Sequence, residues 1–367
     1  MEITISSLFI TILLSTLMIY FLNFFMKNSN KFKIFRTDFF TFLILVIVLR
    51  ILFPVELFFT KSIYISSIMN PIMEFFNYEL SSNITILHIS LSIWLFGFII
   101  FGFRFIHELV VSYKISNKIQ EKSICYKVSD FLNNYDGKDY PIMISDIVKS
   151  PMVFGLKNII FLPQIEFSKV DLYNIIHHEI RHIKNHDIFI KIFINLITIL
   201  YWWFPPVYVL SKNINLFLEI RVDDQVTRNM SANSRIDYTQ SLINVQKKIN
   251  VQKNKSLAYS SFIDDSANIL AYRIHYLMDG DFIKKTKSIF LILLCILPFL
   301  SNMIILEPAY HNSDLVEDTM TIEDISKGYI VQHKDGSYSL ILNEQKANIG
   351  NLIPKDLANL PIIKEKE

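Results

Sequence analysis

The stretch Ile175-Ile-His-His-Glu-Ile-Arg-His-Ile-Lys-Asn-His-Asp187 contains His178-Glu179-Ile180-Arg181-His182, an H-E-x-x-H pattern. On a helix, residues i and i+4 lie one turn apart on one face, so both imidazoles can aim at one zinc ion. Glu179 is displaced by about 100° around the helix. It can reach water at the metal without displacing it, which suits a general base. Two histidines and one distant carboxylate would leave a corner open for water, as a catalytic rather than a structural site requires. The alternative is a solvated, histidine-rich helix face, since His177 and His186 sit in the same segment.

A third ligand must come from a second helix packed beside the first. Leu218-Glu-Ile-Arg-Val-Asp-Asp-Gln-Val226 supplies Glu219 and, one turn later on the same face, Asp223. Glu219 is assigned as the carboxylate ligand and Asp223 as the acceptor for a ligand histidine's free N–H. The alternative for this pair is an exposed acidic patch that includes Asp224. A third histidine at long spacing is absent, and position 188 is Ile.

These residues sit in an apolar chain. Of 367 residues 51% are hydrophobic and 19% charged, with a formal net charge of +2 and a mean hydropathy of +0.35. Soluble domains carry roughly 25% charged residues. Disorder, collagen-like repeats and a nucleic-acid-binding tail are excluded, so no direct nucleic-acid partner is expected. Two cysteines exclude a disulfide framework. The surplus apolar residues point to a lipid bilayer. Residues 3–26 carry no charge and can cross about 30 Å of hydrocarbon. They lack a basic leader and a cleavage site, so a retained anchor is expected. Further spans are expected at 39–60, 84–106 and 288–306. The 187–210 run, interrupted by Lys191, Trp202-Trp203 and Pro205-Pro206, reads as a membrane-dipping or protein-buried hairpin that does not cross.

Basic flanks set the orientation. Lys27, Lys31, Lys33 and Arg36 place the first loop inside; Arg104, Lys114, Lys118 and Lys122, with Lys284, Lys285 and Lys287, place both ends of 107–287 inside. The N-terminus and the tail after Leu306 are then external. Arg50, within the second span, calls for a bundle-interior contact or a local adaptation, and Glu56 is assigned to the outer interface. In the cytoplasmic segment, 115–133 has helical spacing. Residues 140–145 and 159–162 read as strands joined by a turn near Gly155. Ser168 is the N-cap of the His-bearing helix, with Asp171 at its third position. Residues 213–230 form another helix and 250–268 an exposed loop. Residues 307–326 are acidic, and 329–342 reads as a hairpin around Asp335-Gly336.

Four blocks resemble, in order, the BlaR/MecR-type membrane metallopeptidases. They are Ser150-Pro-Met-Val-Phe-Gly-Leu-Lys-Asn-Ile-Ile-Phe-Leu-Pro163, His178-Glu-x-x-His182 followed by Asp187, Trp203-Phe-Pro-Pro206, and Glu219-x-x-x-Asp223. They fall within about 140–290, and Arg50 to Pro54 also looks family-like. The resemblance implies a gluzincin-type protease held by a few membrane helices, with zinc on His178, His182 and Glu219 and with Glu179 as base. It implies that the strand near 158–162, with Ile159, Ile160 and Phe161, receives substrate as an added strand. It also favours Trp202-Trp203 as core filling between the two metal-bearing helices over a headgroup anchor. The best-known members transmit an external antibiotic signal and destroy, or cause the destruction of, a cytoplasmic repressor. Two departures stand out. Those sensors carry a penicillin-binding domain with a reactive Ser-x-x-Lys; no S-x-x-K occurs in the 61 residues after Leu306, so β-lactam acylation is not expected. Val222 stands where many relatives have Cys, a change in packing or reactivity rather than ligation.

The expected architecture is a mainly α membrane protein of the bacterial cell membrane. It has three transmembrane helices in 1–106, a cytoplasmic α/β gluzincin-type domain at 107–287, a fourth transmembrane helix at 288–306 and a small extracellular hairpin tail at 307–367. The expected function is a zinc endopeptidase that relays an extracellular signal into cleavage of a cytoplasmic regulator, such as a winged-helix repressor. Self-cleavage near Ser261-Phe262 is a further expectation. A homodimer is left open. Two other classes stay open as well: a membrane quality-control or processing protease, and a non-catalytic zinc-binding receptor, against which Glu179 speaks.

Overall fold

The computed structural model describes residues 4–27, 37–54, 60–81, 83–132, 135–155, 157–254, 263–278, 303–309, 328–333, 337–342, 345–350 and 360–364, with single helical positions at 289, 292 and 296. Lys31, Lys33, Arg36, Glu56, Ser261-Phe262, Lys284, Lys285, Lys287, most of the 288–306 span, the acidic 310–326 stretch and Asp335-Gly336 lie outside the described residues. The chain divides into two compact units, Met1–Glu307 and Pro308–Glu367.

In the first unit, α1 (Ile5–Lys27) buries Ser6, Ser7, Thr11 and Ser15 in line with Ile19, Leu22 and Met26, while Leu13, Leu17, Phe21 and Phe24 face outward. Small polar residues inside and large apolar ones outside reverse the pattern of a water-facing helix and suit a lipid-facing one. α2 (Thr37–Leu52) stops before Pro54 after 16 residues, about 24 Å. That is shorter than the expected 39–60 span and than about 30 Å of hydrocarbon. Arg50 is buried on it, inside the packing rather than at the surface.

β1 (Lys61–Tyr64) is followed by α3 (Ser66–Asn77), the short hairpin β2 (Glu79–Ser81) and β3 (Ile84–Thr85), and α4 (Ile86–Lys122). Thr85 caps α4, donating its N–H to His88 Nδ1 at 3.3 Å. α4 runs for 37 residues, about 55 Å, so the expected 84–106 span continues without a break into the stretch assigned to a separate helix at 115–133. α1 and α4 are the helices, among the described residues, long and apolar enough to cross a membrane. The 115–133 expectation fails beyond Lys122. There Ile124–Lys127 is a strand, β4, whose residues pair antiparallel with Pro141–Ser145, and Val128–Phe131 is one helical turn, α5.

The sheet built from β4, β5 (Pro141–Ser145), β6 (Met152–Phe154) and β7 (Ile159–Pro163) has the order β4-β5-β7-β6. β5 and β7 are parallel, with Ile142 opposite Ile160, so no tight turn joins them. The turn at Gly155 (φ +76°) joins β6 to β7 instead. β7 is buried throughout: Ile160 and Leu162 meet α6 (Lys169–Lys184), and Ile159 and Phe161 meet Ile119 and Val148.

α7 (Asp187–Leu200) and α8 (Pro205–Thr227) form the helical hairpin expected over 187–210. α8 begins eight residues earlier than the expected 213, because Pro205-Pro206 serve as its first turn. The hairpin packs into one core with α1 and α2, through Ile194, Ile197, Val207, Leu210, Ile214 and Phe217. Its tip is tied to α4 by a reciprocal exchange: Trp94 Nε1 donates to Leu200 O at 2.9 Å and Trp202 Nε1 to Trp94 O at 3.2 Å. Trp202 therefore packs against α4, stacked on Phe101, rather than between the two His- and Glu-bearing helices. A Cβ on Gly97 would lie 2.2 Å from the Trp202 ring. Gly97→Ala is expected to destabilise the detergent-solubilised protein by about 1–3 kcal/mol through overpacking. Gly102→Ala, with nothing within 4 Å, is the control; equal melting temperatures for the two variants would contradict this packing.

α9 (Ala232–Asn254) and α10 (Ile263–Met278) occupy most of the expected 250–268 loop, so only 255–262 remains between helices. Ile304–Glu307 is a strand, β8, paired in parallel with β1. The expected 288–306 helix therefore does not include residues 304–306, where β-branched residues pair as a strand. On α2, Thr37 Oγ1 donates to Asp224 Oδ2 at 3.1 Å, and Tyr272 of α10 hydrogen-bonds Met26 O at the end of α1. The C-terminal end of α1 and the N-terminal end of α2 thus lie level with the C-terminal end of α8.

In the second unit, β9 (Tyr329–Gln332) and β10 (Tyr338–Leu342) pair antiparallel as the alternation predicts. β11 (Gln345–Gly350) and β12 (Ile362–Lys364), which sequence reading missed, complete the order β11-β10-β9-β12 around Ile330 and Leu340.

Candidate metal centre and active site

Ser168 caps α6 by accepting from the Asp171 N–H at 3.0 Å. Ile175, Ile176, Ile180 and Ile183 anchor one side of this helix on the sheet, which aims His178, Glu179 and His182 into a cavity. His178 and Glu179 are buried. α8 crosses alongside and brings Glu219 to them.

The ligand atoms converge. His178 Nε2 lies 3.1 Å from His182 Nε2 and 3.4 Å from Glu219 Oε2, and His182 Nε2 lies 3.6 Å from Glu219 Oε1. Donors at zinc-like bond lengths in a tetrahedron are about 3.3 Å apart, so this set fits a divalent ion. The remaining ring nitrogens are already committed. His182 Nδ1 donates to Asp187 Oδ2 at 2.6 Å, and Arg221 holds the other Asp187 oxygen. His178 Nδ1 donates to the Tyr238 hydroxyl at 2.9 Å, which itself donates to Asp223 Oδ1 at 2.7 Å. Each histidine thereby turns Nε2 toward the centre.

Charge supports the same fit. Glu179, Asp187, Glu219 and Asp223 surround the centre, against the guanidinium groups of Arg221 and Arg273. Carboxylates outnumber the cationic groups even with Lys191 on the cavity lining, which favours a bound cation. Without one, protons take its place. Burial would lower His182, but hydrogen bonds to Asp187 and Glu219 outweigh it and push its pKa up to about 10. Burial would raise Glu219 and Asp223. The histidines and Arg273 instead hold Glu219 well below the usual carboxylate range, while Arg273 and His178 bring Asp223 down to about 2.

The cavity measures about 430 Å³. Ser150, Pro151, Met152 and Val153 form one wall, and Leu242, Val245, Ile249, Ile269 and Leu270 of α9 and α10 form an apolar wall. β7 cannot be the strand that receives substrate: Ile160 and Phe161 are paired on both sides, to β5 and β6, and Ile159 is paired to Phe154 of β6. Among the described residues, the open edge beside the cavity belongs to β6.

A family model described as BlaR1 peptidase M56 matches residues 1–277. The chain belongs to this family. Among curated relatives of this M56 chain, the regulatory protein BlaR1 of Staphylococcus aureus is 28% identical over 253 residues, 64% of this chain and 41% of the relative. The methicillin resistance mecR1 protein of the same species is 27% identical over 207 residues, covering 52% and 34%. The regulatory protein BlaR1 of Bacillus licheniformis is 31% identical over 121 residues, covering 32% and 20%. The chain thus matches about two-fifths or less of the length of these relatives.

Within this M56 chain the structure brings together His178, Glu179, His182, Glu219 and Asp223. Asp223 reaches His178 mainly through Tyr238, its own carboxylate lying 3.3 Å from Nδ1. Sequence reading assigned no role to Asp187, Tyr238 and Arg273. Asp187 follows a helix break at His186 (φ +57°), outside any helical period. Tyr238 and Arg273 come from helices that carry no ligand, so no spacing could reveal them. Asp187→Asn is expected to weaken metal binding about 10–100-fold by loosening His182, read by competition with a chromophoric chelator; wild-type affinity would contradict the role.

Proposed function

We propose that the protein is a membrane-bound zinc endopeptidase whose active site faces the cytoplasm, and that it converts an extracellular signal into cleavage of a cytoplasmic regulatory protein. The observation that carries this reading is the convergence of two Nε2 atoms and the Glu219 carboxylate beside Glu179, in a cavity flanked by a free strand edge. Membership of a peptidase family and similarity to proteins named as regulatory and resistance proteins support it.

The basic flanks support the orientation. Lys27 at the end of α1 is level with the α8 residues that carry the site, so the site and the first loop share a side. The β1–β8 pairing supports one common exit side for the second and fourth apolar runs, the outer one. The catalytic domain then lies at 107–287 and the N-terminus and 307–367 lie outside. The α7–α8 hairpin enters the bilayer among the spans without crossing.

His178, His182 and Glu219 would hold the zinc ion, which when bound would supply Lewis acidity at this site. Asp187 and the Tyr238–Asp223 pair each hold an Nδ1–H, which fixes both rings with Nε2 facing inward. The edge of β6 binds an extended substrate segment by main-chain hydrogen bonds. Glu179 takes the proton from the attacking water and delivers it to the departing amine nitrogen. The apolar wall of α9 and α10 receives a substrate side chain.

The test is co-expression in a bacterial host with a small winged-helix repressor, scored by immunoblot. The proposal expects a shortened repressor, or a chain cut within 255–262, with wild-type protein and neither with Glu179→Gln. Zinc-loaded protein that cuts neither itself nor the repressor would favour the non-catalytic receptor.

A further inference from the structure

We infer that Arg273, on a helix that supplies no ligand, is the positioning residue that locks Glu219 and Asp223 of α8 into the metal centre. This rests on the reading of His178, His182 and Glu219 as zinc ligands.

The guanidinium of Arg273 has no idle nitrogen. Nε donates to Asp223 Oδ2 at 2.7 Å and Nη2 to Asp223 Oδ1 at 2.8 Å, a two-point fork. Nη1 lies 3.3 Å from Glu219 Oε2, and Nη2 also lies 3.4 Å from His178 Nε2. One side chain therefore spans Glu219, which faces both imidazoles, and Asp223, which holds Tyr238 and through it His178. Glu219 and Asp223 are one turn apart on α8, so their like charges oppose each other unless a cation sits between them. Asp223 is fully buried and has no solvent to screen it. A fork of fixed geometry can fix both carboxylates at once, whereas an ammonium acts as a point charge.

Because these nitrogens are committed to the protein, Arg273 acts through Glu219 and Asp223 rather than on substrate. It enters the centre from α10, which packs on α8 and α9. Correct ligand placement is thus conditional on α10 being docked, although every ligand lies on α6 or α8.

The test uses the full chain in detergent, with zinc affinity measured against a chromophoric chelator and the visible spectrum recorded after cobalt substitution. Arg273→Met is expected to weaken zinc binding about 10–100-fold and to change the cobalt d–d bands. Arg273→Lys, keeping charge without the fork, is expected to fall between it and wild type. Unaltered zinc affinity and a superimposable cobalt spectrum in Arg273→Met would overturn the inference. If Arg273→Met does not fold, Arg273→Lys decides: weakened binding supports the role and wild-type binding overturns it. Wild-type protein that binds no zinc would overturn the zinc reading and this inference together. Zinc bound equally by wild type and the Arg273 variants overturns the inference alone.

Discussion

Glu179→Gln leaves the protein folded and zinc-loaded but lowers peptide cleavage by about 10³-fold, the scale of losing a general acid–base. Its side chain lies next to His178 on α6 and lines the cavity. It is not one of the converging ligand atoms, which come from His178, His182 and Glu219. Gln preserves the volume and removes the proton acceptor, so metal content and chemistry separate. Zinc stoichiometry and cleavage rate measured on one preparation check this. Loss of zinc in the variant would make Glu179 a ligand, and undiminished cleavage would remove it from the mechanism.

The second large effect is on metal affinity across pH. In the metal-free centre the His182 pKa is raised to about 10 by Asp187 and Glu219, so at neutral pH zinc must displace a proton from it. Binding therefore releases protons, and affinity should rise by about tenfold per pH unit, or about 10³-fold between pH 6 and pH 9. The sign for the metal-free fold is the opposite. A raised histidine pKa contributes stability that is full below its unfolded value of about 6.5 and is lost as pH climbs through about 10. Asp223, depressed to about 2, contributes above about 3.9 and loses that contribution as pH falls through about 2. Calorimetry in buffers of different ionisation enthalpy reads the released protons directly. Zinc binding without proton release would contradict the protonated centre.

The parts of the site that were legible in sequence are those governed by helical period. His178 and His182 share a face because they are i and i+4; Glu219 and Asp223 do so for the same reason. The N-cap at Ser168 and the β9–β10 alternation were equally local. What escaped was set by tertiary partners. β7 looked like a receptive strand, yet its two neighbours are fixed by pairings that no local pattern records. Residues 124–127 have helical spacing but pair with β5, and residues 304–306 fall at the end of the expected 288–306 span but pair with β1. Polar composition at 250–268 suggests a loop, but α9 runs on to Asn254 and α10 begins at Ile263. The seat of Trp202 is not legible in sequence because its partner, Gly97, lies over a hundred residues away and offers only the absence of a side chain.

X-ray absorption at the zinc edge, on purified wild-type protein and on Glu219→Ala, tests the centre most directly. The account predicts about one zinc per chain with nitrogen and oxygen neighbours at about 2.0–2.1 Å, two of them imidazoles, and loss or rearrangement of that shell in Glu219→Ala. Sulfur scattering, or a shell unchanged in Glu219→Ala, would contradict it.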